Sequence, residues 1–142
     1  MKKILLLSFI MILGLHQTSI GQQKSEKKEI KKVIQNYFEG QRKDNPELIK
    51  KVFHPLSALK FISVRDNEYK TITLERYVTF FKNKKERVFK DKIFYIDVTG
   101  TAANAKVLVK YDTYQYTHYF NMLKTKNGWK IVNKISSQKN FK

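Results

Sequence analysis

Alternating apolar and polar residues near the end of the chain predict two antiparallel strands joined by a tight turn. The alternating runs 119–125 and 129–135 flank Lys126-Asn127-Gly128, and Asn-Gly between two such runs is a strong hairpin signal. The turn can close in two ways. One is a two-residue Asn127-Gly128 turn, and the other is a three-residue loop with a left-handed Gly128 in a bulge.

We favour the three-residue loop because it pairs Leu123 with Ile131 and gathers apolar side chains on one face. On this pairing the inner face carries Tyr119, Asn121, Leu123, Trp129, Ile131, Asn133 and Ile135. The outer face then carries Tyr114, Tyr116, His118, Phe120 and Met122, together with Lys124, Lys130 and Lys134. A slip of one residue would exchange the two faces.

The earlier part of the chain shows helical spacing. Ile30, Val33, Ile34, Tyr37 and Phe38 form one apolar stripe of a first helix, which Ser25 would cap and which ends near Gly40. Asp44 or Asn45, followed by proline, starts a short second helix. Thr73 caps a third helix, with inward positions at Leu74, Tyr77, Val78 and Phe81.

Period-two segments complete the element order. A strand pair, 58–64 and 69–72, interrupts the helices, and a four-stranded meander follows from residue 93. We therefore predict an α+β fold in which three N-terminal helices pack on a strongly curved antiparallel sheet. Such a sheet wrapped around a long first helix encloses a cone with an internal pocket.

Composition narrows the possible chemistry. The 142 residues fit one domain, and 42% are hydrophobic, enough for a core. The chain has no cysteine, which excludes disulfides, zinc–thiolate sites and a cysteine nucleophile. The formal net charge of +17 favours anionic partners. The basic loop 82–92 has no accompanying nucleic-acid motif, so we interpret it as a solvated surface rather than a nucleic-acid site.

The N-terminus has the pattern of a signal peptide. Lys2 and Lys3 precede an apolar run over 4–15, which is short for a bilayer span, and Ser19 and Gly21 suit cleavage before residue 22. We predict a signal peptide over 1–21, one mature domain over 22–142, export to the periplasm or outside the cell, and no stable membrane insertion after cleavage. An uncleaved N-terminal anchor is the alternative.

Several motifs resemble those of a known family. Phe53-His54-Pro55, the helix entry over 71–75 and the hairpin over 119–134 are similar to the putative lumazine-binding branch of the nuclear-transport-factor-2-like superfamily of cone-shaped, cystatin-like α+β folds. The resemblance covers about residues 26–136. It implies binding of a pteridine-like heterocycle. The chain departs from the family pattern at Leu56-Ser57 and at His118, where carboxylates are common.

Catalytic candidates are few. His54 could act as a base at the mouth of the cone, or it could simply bond the carbonyls at a helix end. Asp97 could act as a base if it faced inward, or it could be a solvated strand charge. These two residues would support a lyase-like or isomerase-like enzyme, but we find no convincing catalytic pair, no metal site and no need for a cofactor. We therefore favour binding over catalysis.

The inner-face aromatic and amide groups predict the binding site instead. Aromatic rings can stack on a planar heterocycle, and amides can bond its edge. The predicted ligand-binding residues are Tyr37, Tyr119, Asn121, Trp129 and Asn133, and the predicted ligand is a small organic molecule, planar or anionic. The many aromatics assigned to the outer face predict a homodimer through that face, so a dimeric interaction module is a further interpretation.

Overall fold

The computed structural model describes residues 2–83 and 85–141, with side chains described from residue 21 onward. Its described part contains three helices and six strands. Their order along the chain confirms the predicted one. The helices are α1 (Lys2–Arg42), α2 (Pro46–Val52) and α3 (Leu74–Val78). The strands are β1 (Phe53–Ile62), β2 (Tyr69–Thr73), β3 (Lys90–Thr99), β4 (Ala102–Lys110), β5 (Tyr114–Thr125) and β6 (Gly128–Asn140).

The six strands form one curved sheet in the order β2-β1-β6-β5-β4-β3. Neighbouring strands are antiparallel except for β1 and β6, which run parallel. The predicted α+β cone is therefore confirmed, with the difference that its sheet is mixed. This parallel pairing arises because the hairpin of β1 and β2 joins the meander of β3 to β6 at its last strand, β6.

Helix α1 lies on the inner face of the sheet and supplies the centre of the core. Ile30, Ile34, Tyr37 and Phe38 are almost fully buried, as their helical spacing predicts. The predicted start at Ser25 is wrong, because the helix continues through this residue from Lys2. No proline interrupts 2–42, so nothing in the backbone forces an end there. Among the described residues, no helix is long and apolar enough to cross a membrane.

The short helices begin with the caps that the sequence indicates. The Asn45 side chain accepts hydrogen bonds from the backbone N–H groups of Glu47 and Leu48, at 2.9 and 3.1 Å. Thr73 accepts one from the N–H of Arg76 at 3.2 Å. These bonds satisfy donors that the first turn of a helix leaves free.

The terminal hairpin has a different pairing from the predicted one. Gly128 is left-handed, with φ of 85°, as the favoured loop requires. Thr125, however, lies opposite Gly128, and the pairing shifts by one residue between Asn121 and Met122, where Val132 is the extra residue on β6. Between the turn and the bulge the ladder is regular, so the pairing of Thr125 with Gly128 places Met122 opposite Ile131.

The pairing of Thr125 with Gly128 at the turn reverses the faces predicted for β5, and the β-bulge at Val132 reverses those predicted for the second half of β6. Phe120, Met122 and His118 are buried, and Tyr114 and Tyr116 are half-buried. Tyr119, Leu123 and Ile135 are exposed instead. The prediction of an outer face containing Tyr114, Tyr116, His118, Phe120 and Met122 is therefore wrong, because it paired Leu123 with Ile131, whereas Met122 has that partner.

Candidate functional site

The inner face of the sheet, helix α1 and helix α3 enclose a cavity of about 320 Å³. This volume is near the lower end of the range of roughly 300–1,000 Å³ for small-molecule pockets. Its buried end is formed by Tyr37, Gln41, Leu59, Val109, His118 and Lys134. Exposed residues mark its mouth: Ile62, Val64, Arg65 and Phe80.

A buried lysine lies at the inner end of this cavity. Lys134 is only 5% exposed. Its ammonium donates a hydrogen bond to the Tyr77 hydroxyl at 3.0 Å and a longer one to the Tyr37 hydroxyl at 3.4 Å. The same nitrogen lies 4.2 Å from the centre of the Tyr77 ring, so a cation–π contact also stabilises its charge.

Two tyrosines and an amide hold the lysine in place. The hydroxyls of Tyr37 and Tyr77 are 3.4 Å apart, and Gln41 donates to the Tyr77 hydroxyl. Burial, with the neighbouring Tyr77, raises the pKa of Tyr37 well above its usual value. Tyr37 therefore stays a neutral phenol at ordinary pH and offers the cavity a hydroxyl rather than a charge.

His118 lies beside this group on β5. Its ring stacks between those of Tyr116 and Phe120, with interplanar angles of 16° and 15°, and its Nδ1 is 2.9 Å from the Ser136 hydroxyl. Burial, and secondly the positive charge of Lys134, lowers the pKa of His118 well below its usual value. His118 is therefore a neutral imidazole at neutral pH.

Further tyrosines build one wall of the cavity. The rings of Tyr111 and Tyr114 stack at 4.7 Å with an interplanar angle of 29°, and the Tyr116 ring meets that of Tyr114 edge-on at 5.5 Å. Burial raises the pKa of Tyr111 to about 12 and also raises that of Tyr116. This wall is thus uncharged and aromatic, a surface on which a flat molecule can lie.

The charged side chains in the described lining of the cavity are all basic. Its described lining includes Arg65, Arg87 and Lys134 but no Asp or Glu side chain. Arg87 forms an ion pair with the buried carboxylate of Asp44, and Arg65 lies 3.8 Å from Asp66. Lys134 has no ion-pair partner among the residues with described side chains.

The structure brings only one of the five predicted ligand-binding residues to this cavity. Tyr37 lies at its buried end. Trp129 is buried as predicted but donates its indole N–H to Glu26 at 2.7 Å, away from the cavity. Tyr119 and Asn121 are exposed on the opposite sheet face, and Asn133, which pairs with Asn121, lies outside the lining. The inward orientation predicted for Tyr119 and Asn121 is wrong because Met122, not Leu123, pairs with Ile131. That of Asn133 is wrong because of the bulge at Val132.

The two candidate bases also lie elsewhere. His54 is half-buried, and its Nδ1 accepts a hydrogen bond from the backbone N–H of Leu56 at 3.2 Å. Asp97 is exposed and pairs with Asn104 on the outer face. Neither residue lines the cavity, so neither can act on a molecule bound inside it. Among the described residues, no three His, Asp or Glu side chains come together in an arrangement suited to a metal ion.

The sequence interpretation missed Lys134 and His118 as cavity residues. The pairing of Leu123 with Ile131 placed His118 on the outer face, and a ladder without a bulge placed Lys134 there. The available signal was the series His118, Phe120 and Met122, which forms one buried inner face with Trp129 and Ile131 once Met122 is paired with Ile131. A bulge of this kind has no sequence marker here, since Val132 is an ordinary strand residue.

Comparison with known proteins identifies relatives of this arrangement. The family described as "Putative lumazine-binding" matches residues 25–137. A nuclear-transport-factor-2-like protein of unknown function from Shewanella baltica is similar in structure, with a TM-score of 0.74 and 25% identity over 81% of this chain and 94% of that one. A second such protein, from Silicibacter pomeroyi, has a TM-score of 0.74 and 12% identity over 82% and 98% of the two chains.

A more distant structural neighbour is the association domain of C. elegans CaMKII. Its TM-score is 0.63, with 14% identity over 80% of this chain and 96% of that domain, so the likeness concerns the fold. The comparison with curated proteins gives no match.

Proposed function

Because this chain belongs to the putative lumazine-binding family, a family with a ligand-binding fold, we propose that its cavity binds a small organic molecule. The observation that carries the proposal is the cavity of about 320 Å³ between α1, α3 and the inner sheet face, with aromatic walls and a polar inner end. An apolar pocket with a few convergent polar groups is typical of small-molecule sites.

The bound molecule would lie with a flat part against the tyrosine wall and a polar part near Lys134 and Tyr77. Binding rather than catalysis is favoured because His54 and Asp97 lie outside the cavity and its described lining offers no carboxylate base. The pteridine-like ligand implied by the family name is one candidate for this shape.

Two adjacent serines allow a matched test of the proposal. Ser136 lines the cavity, whereas Ser137 is exposed on the other face of β6. We expect native mass spectrometry of the gently purified protein to show a bound small molecule. We expect Ser136→Phe to lose this molecule because the ring fills the cavity, and Ser137→Phe to keep it. Two results together would contradict the proposal. The wild-type protein would carry no molecule, and the small-molecule fraction of its own cells would not stabilise it.

We further propose that the protein is exported. The support is the basic start at Lys2 and Lys3, the apolar run over 4–15 and the small residues Ser19 and Gly21. Cleavage before residue 22 would leave the buried contacts of Glu26 within the mature chain. N-terminal sequencing of the protein from its own cells tests this proposal, and a mature chain that still begins at Met1 would contradict it.

We also propose that a second copy of the chain covers the outer sheet face. Phe94, Tyr119 and Ile135 are exposed there by 46%, 36% and 47%, and Tyr119 lies directly opposite Ile135. The Lys106 ammonium lies over the rings of both Phe94 and Tyr119, at 5.3 and 5.5 Å. It therefore joins these exposed side chains into one continuous surface patch. An assembling domain among the structural neighbours supports self-association as a use of this fold.

Sedimentation velocity tests the dimer directly. We expect a wild-type dimer at micromolar concentration and a monomer for Ile135→Lys, because the new ammonium would be buried without a partner. Val88→Lys is the control, since Val88 is 90% exposed and lies away from this face. A monomeric wild type, or a dimer that tolerates Ile135→Lys, would refute this use of the outer face.

A further inference from the structure

We infer that the ligand of the cavity is an organic monoanion, a carboxylate on a flat apolar body, whose charged group binds Lys134. This inference rests on the proposed binding function and narrows it to one chemical class. It depends on the charge, the donors and the walls at the inner end of the cavity.

The first argument is the uncompensated charge. Lys134 is 5% exposed and, among the residues with described side chains, has no carboxylate partner. A buried charge without a counter-ion is costly, and phenol hydroxyls and ring faces offset only part of that cost. A ligand carboxylate would supply the missing counter-ion inside the cavity.

The second argument is the donor arrangement. A lysine ammonium has three N–H donors, and two of those of Lys134 are directed at the hydroxyls of Tyr37 and Tyr77. The third has no partner among the described residues and is available to the cavity. Because the Tyr77 hydroxyl accepts hydrogen bonds from Gln41 and Lys134, its own proton can be donated as well. Two donors can thus serve the two oxygens of one carboxylate.

The third argument concerns the number of charges. Arg87 already pairs with Asp44, and His118 is held neutral by burial and by Lys134. Among the described residues, one positive charge without a carboxylate partner therefore remains at the inner end, which matches a monoanion. A phosphate monoester, with nearly two negative charges at neutral pH, would bring an excess negative charge into a buried site.

The walls define the rest of the ligand. The stacked rings of Tyr111 and Tyr114 present a flat, uncharged surface, and Leu59, Phe61 and Ile72 add apolar contacts elsewhere in the lining. A fused aromatic ring system with one carboxylate fits both the volume and this division into a charged end and an apolar body.

Two probes of nearly equal shape test the inference. Naphthalene-2-carboxylate carries the charge, and naphthalene-2-carboxamide replaces it with a neutral amide. Calorimetric titration of the protein expressed from the full-length gene should show the carboxylate binding at least about tenfold more tightly, as a charge-assisted hydrogen bond replaces a neutral one.

The matched variants assign the preference to one side chain. Lys134→Met should remove the preference, so that the two probes bind within about twofold of each other. Lys139→Met removes the same charge from an exposed position on the same strand, and this variant should keep the preference for the carboxylate. Circular dichroism checks that each variant is folded. Because the wild-type comparison needs no variant, it decides the question even if Lys134→Met fails to fold.

The outcomes separate this inference from the function on which it rests. If the carboxamide binds wild type as tightly as the carboxylate, the monoanion inference is overturned while small-molecule binding stands. If the preference survives Lys134→Met, the counter-ion is another residue and the assignment to Lys134 is overturned. If neither probe binds, the inferred ligand class is overturned, while native mass spectrometry of the wild-type protein still decides the proposed binding function.

Discussion

The buried His118 should make the stability of the fold depend on pH. Its imidazole is 4% exposed and stacked between Tyr116 and Phe120, and its pKa lies well below the ordinary value because of burial and Lys134. In the unfolded chain the same side chain titrates near 6.5. Below that pH the unfolded chain binds more protons than the folded one, so acid favours unfolding.

The size of this effect follows from linkage. Each pH unit between the folded and the unfolded pKa removes up to about 1.4 kcal/mol from the free energy of unfolding. At pH 5.5 the loss that His118 causes should reach about 1.4 kcal/mol relative to neutral pH, and above about pH 7.5 it should vanish. The lowered pKa therefore gives stability that is complete above the unfolded pKa and is lost as the pH falls.

His118→Phe should abolish this part of the pH dependence, because the new ring can occupy the same stack without a titratable group. The variant also leaves the Ser136 hydroxyl without its partner, which should cost about 1–3 kcal/mol at every pH. Urea unfolding at pH 7.5, 6.5 and 5.5, followed through the single tryptophan Trp129, separates the two effects. His54→Asn is the control, since it removes a half-buried histidine outside the cavity.

Parallel pH profiles for wild type and His118→Phe would refute this account of His118. A loss of the pH dependence of stability in His54→Asn would also refute it. A smaller free energy of unfolding for His118→Phe at pH 7.5, combined with a flatter profile below pH 6.5, is the expected result.

Three further predictions concern the fold that supports the cavity. Gly40→Ala should destabilise by about 1–3 kcal/mol, because its Cβ would lie 2.9 Å from Cδ1 of the buried Ile49. Chemical denaturation compares the variant with wild type, and equal stabilities would contradict the close approach of α1 and α2. Asn45→Ala should cost about 1 kcal/mol of stability by removing the cap of α2, and Asn45→Asp should restore most of that stability. Thermal unfolding measures both variants, and an unchanged midpoint for Asn45→Ala would count against the cap. Phe120→Ala, at a fully buried position, should cost about 3–5 kcal/mol, and a urea-derived loss below 1 kcal/mol would show that its ring is not part of the core.

Local patterns were sufficient for much of this architecture. The stripe from Ile30 to Phe38 predicts the buried side of α1, because a helix returns to the same face every three or four residues. Asn45 and Thr73 predict the starts of α2 and α3, because their side-chain oxygens satisfy nearby backbone donors. Gly128 predicts the turn of the last hairpin, because it tolerates a positive φ.

The identity of the cavity residues depends on tertiary structure. A strand exposes alternate faces, so one extra residue at Val132 moves Lys134 and Ser136 inward and Asn133 and Ile135 outward. His118 faces α1 because the turn pairs Met122 with Ile131, and this pairing sets the faces of β5. Most of the elements, their order and the left-handed glycine could be predicted from local patterns, since these depend on neighbours a few residues apart. Only the packing of β5, β6 and α1 decided which polar groups are enclosed, since pairing across strands is settled by the burial of the whole face.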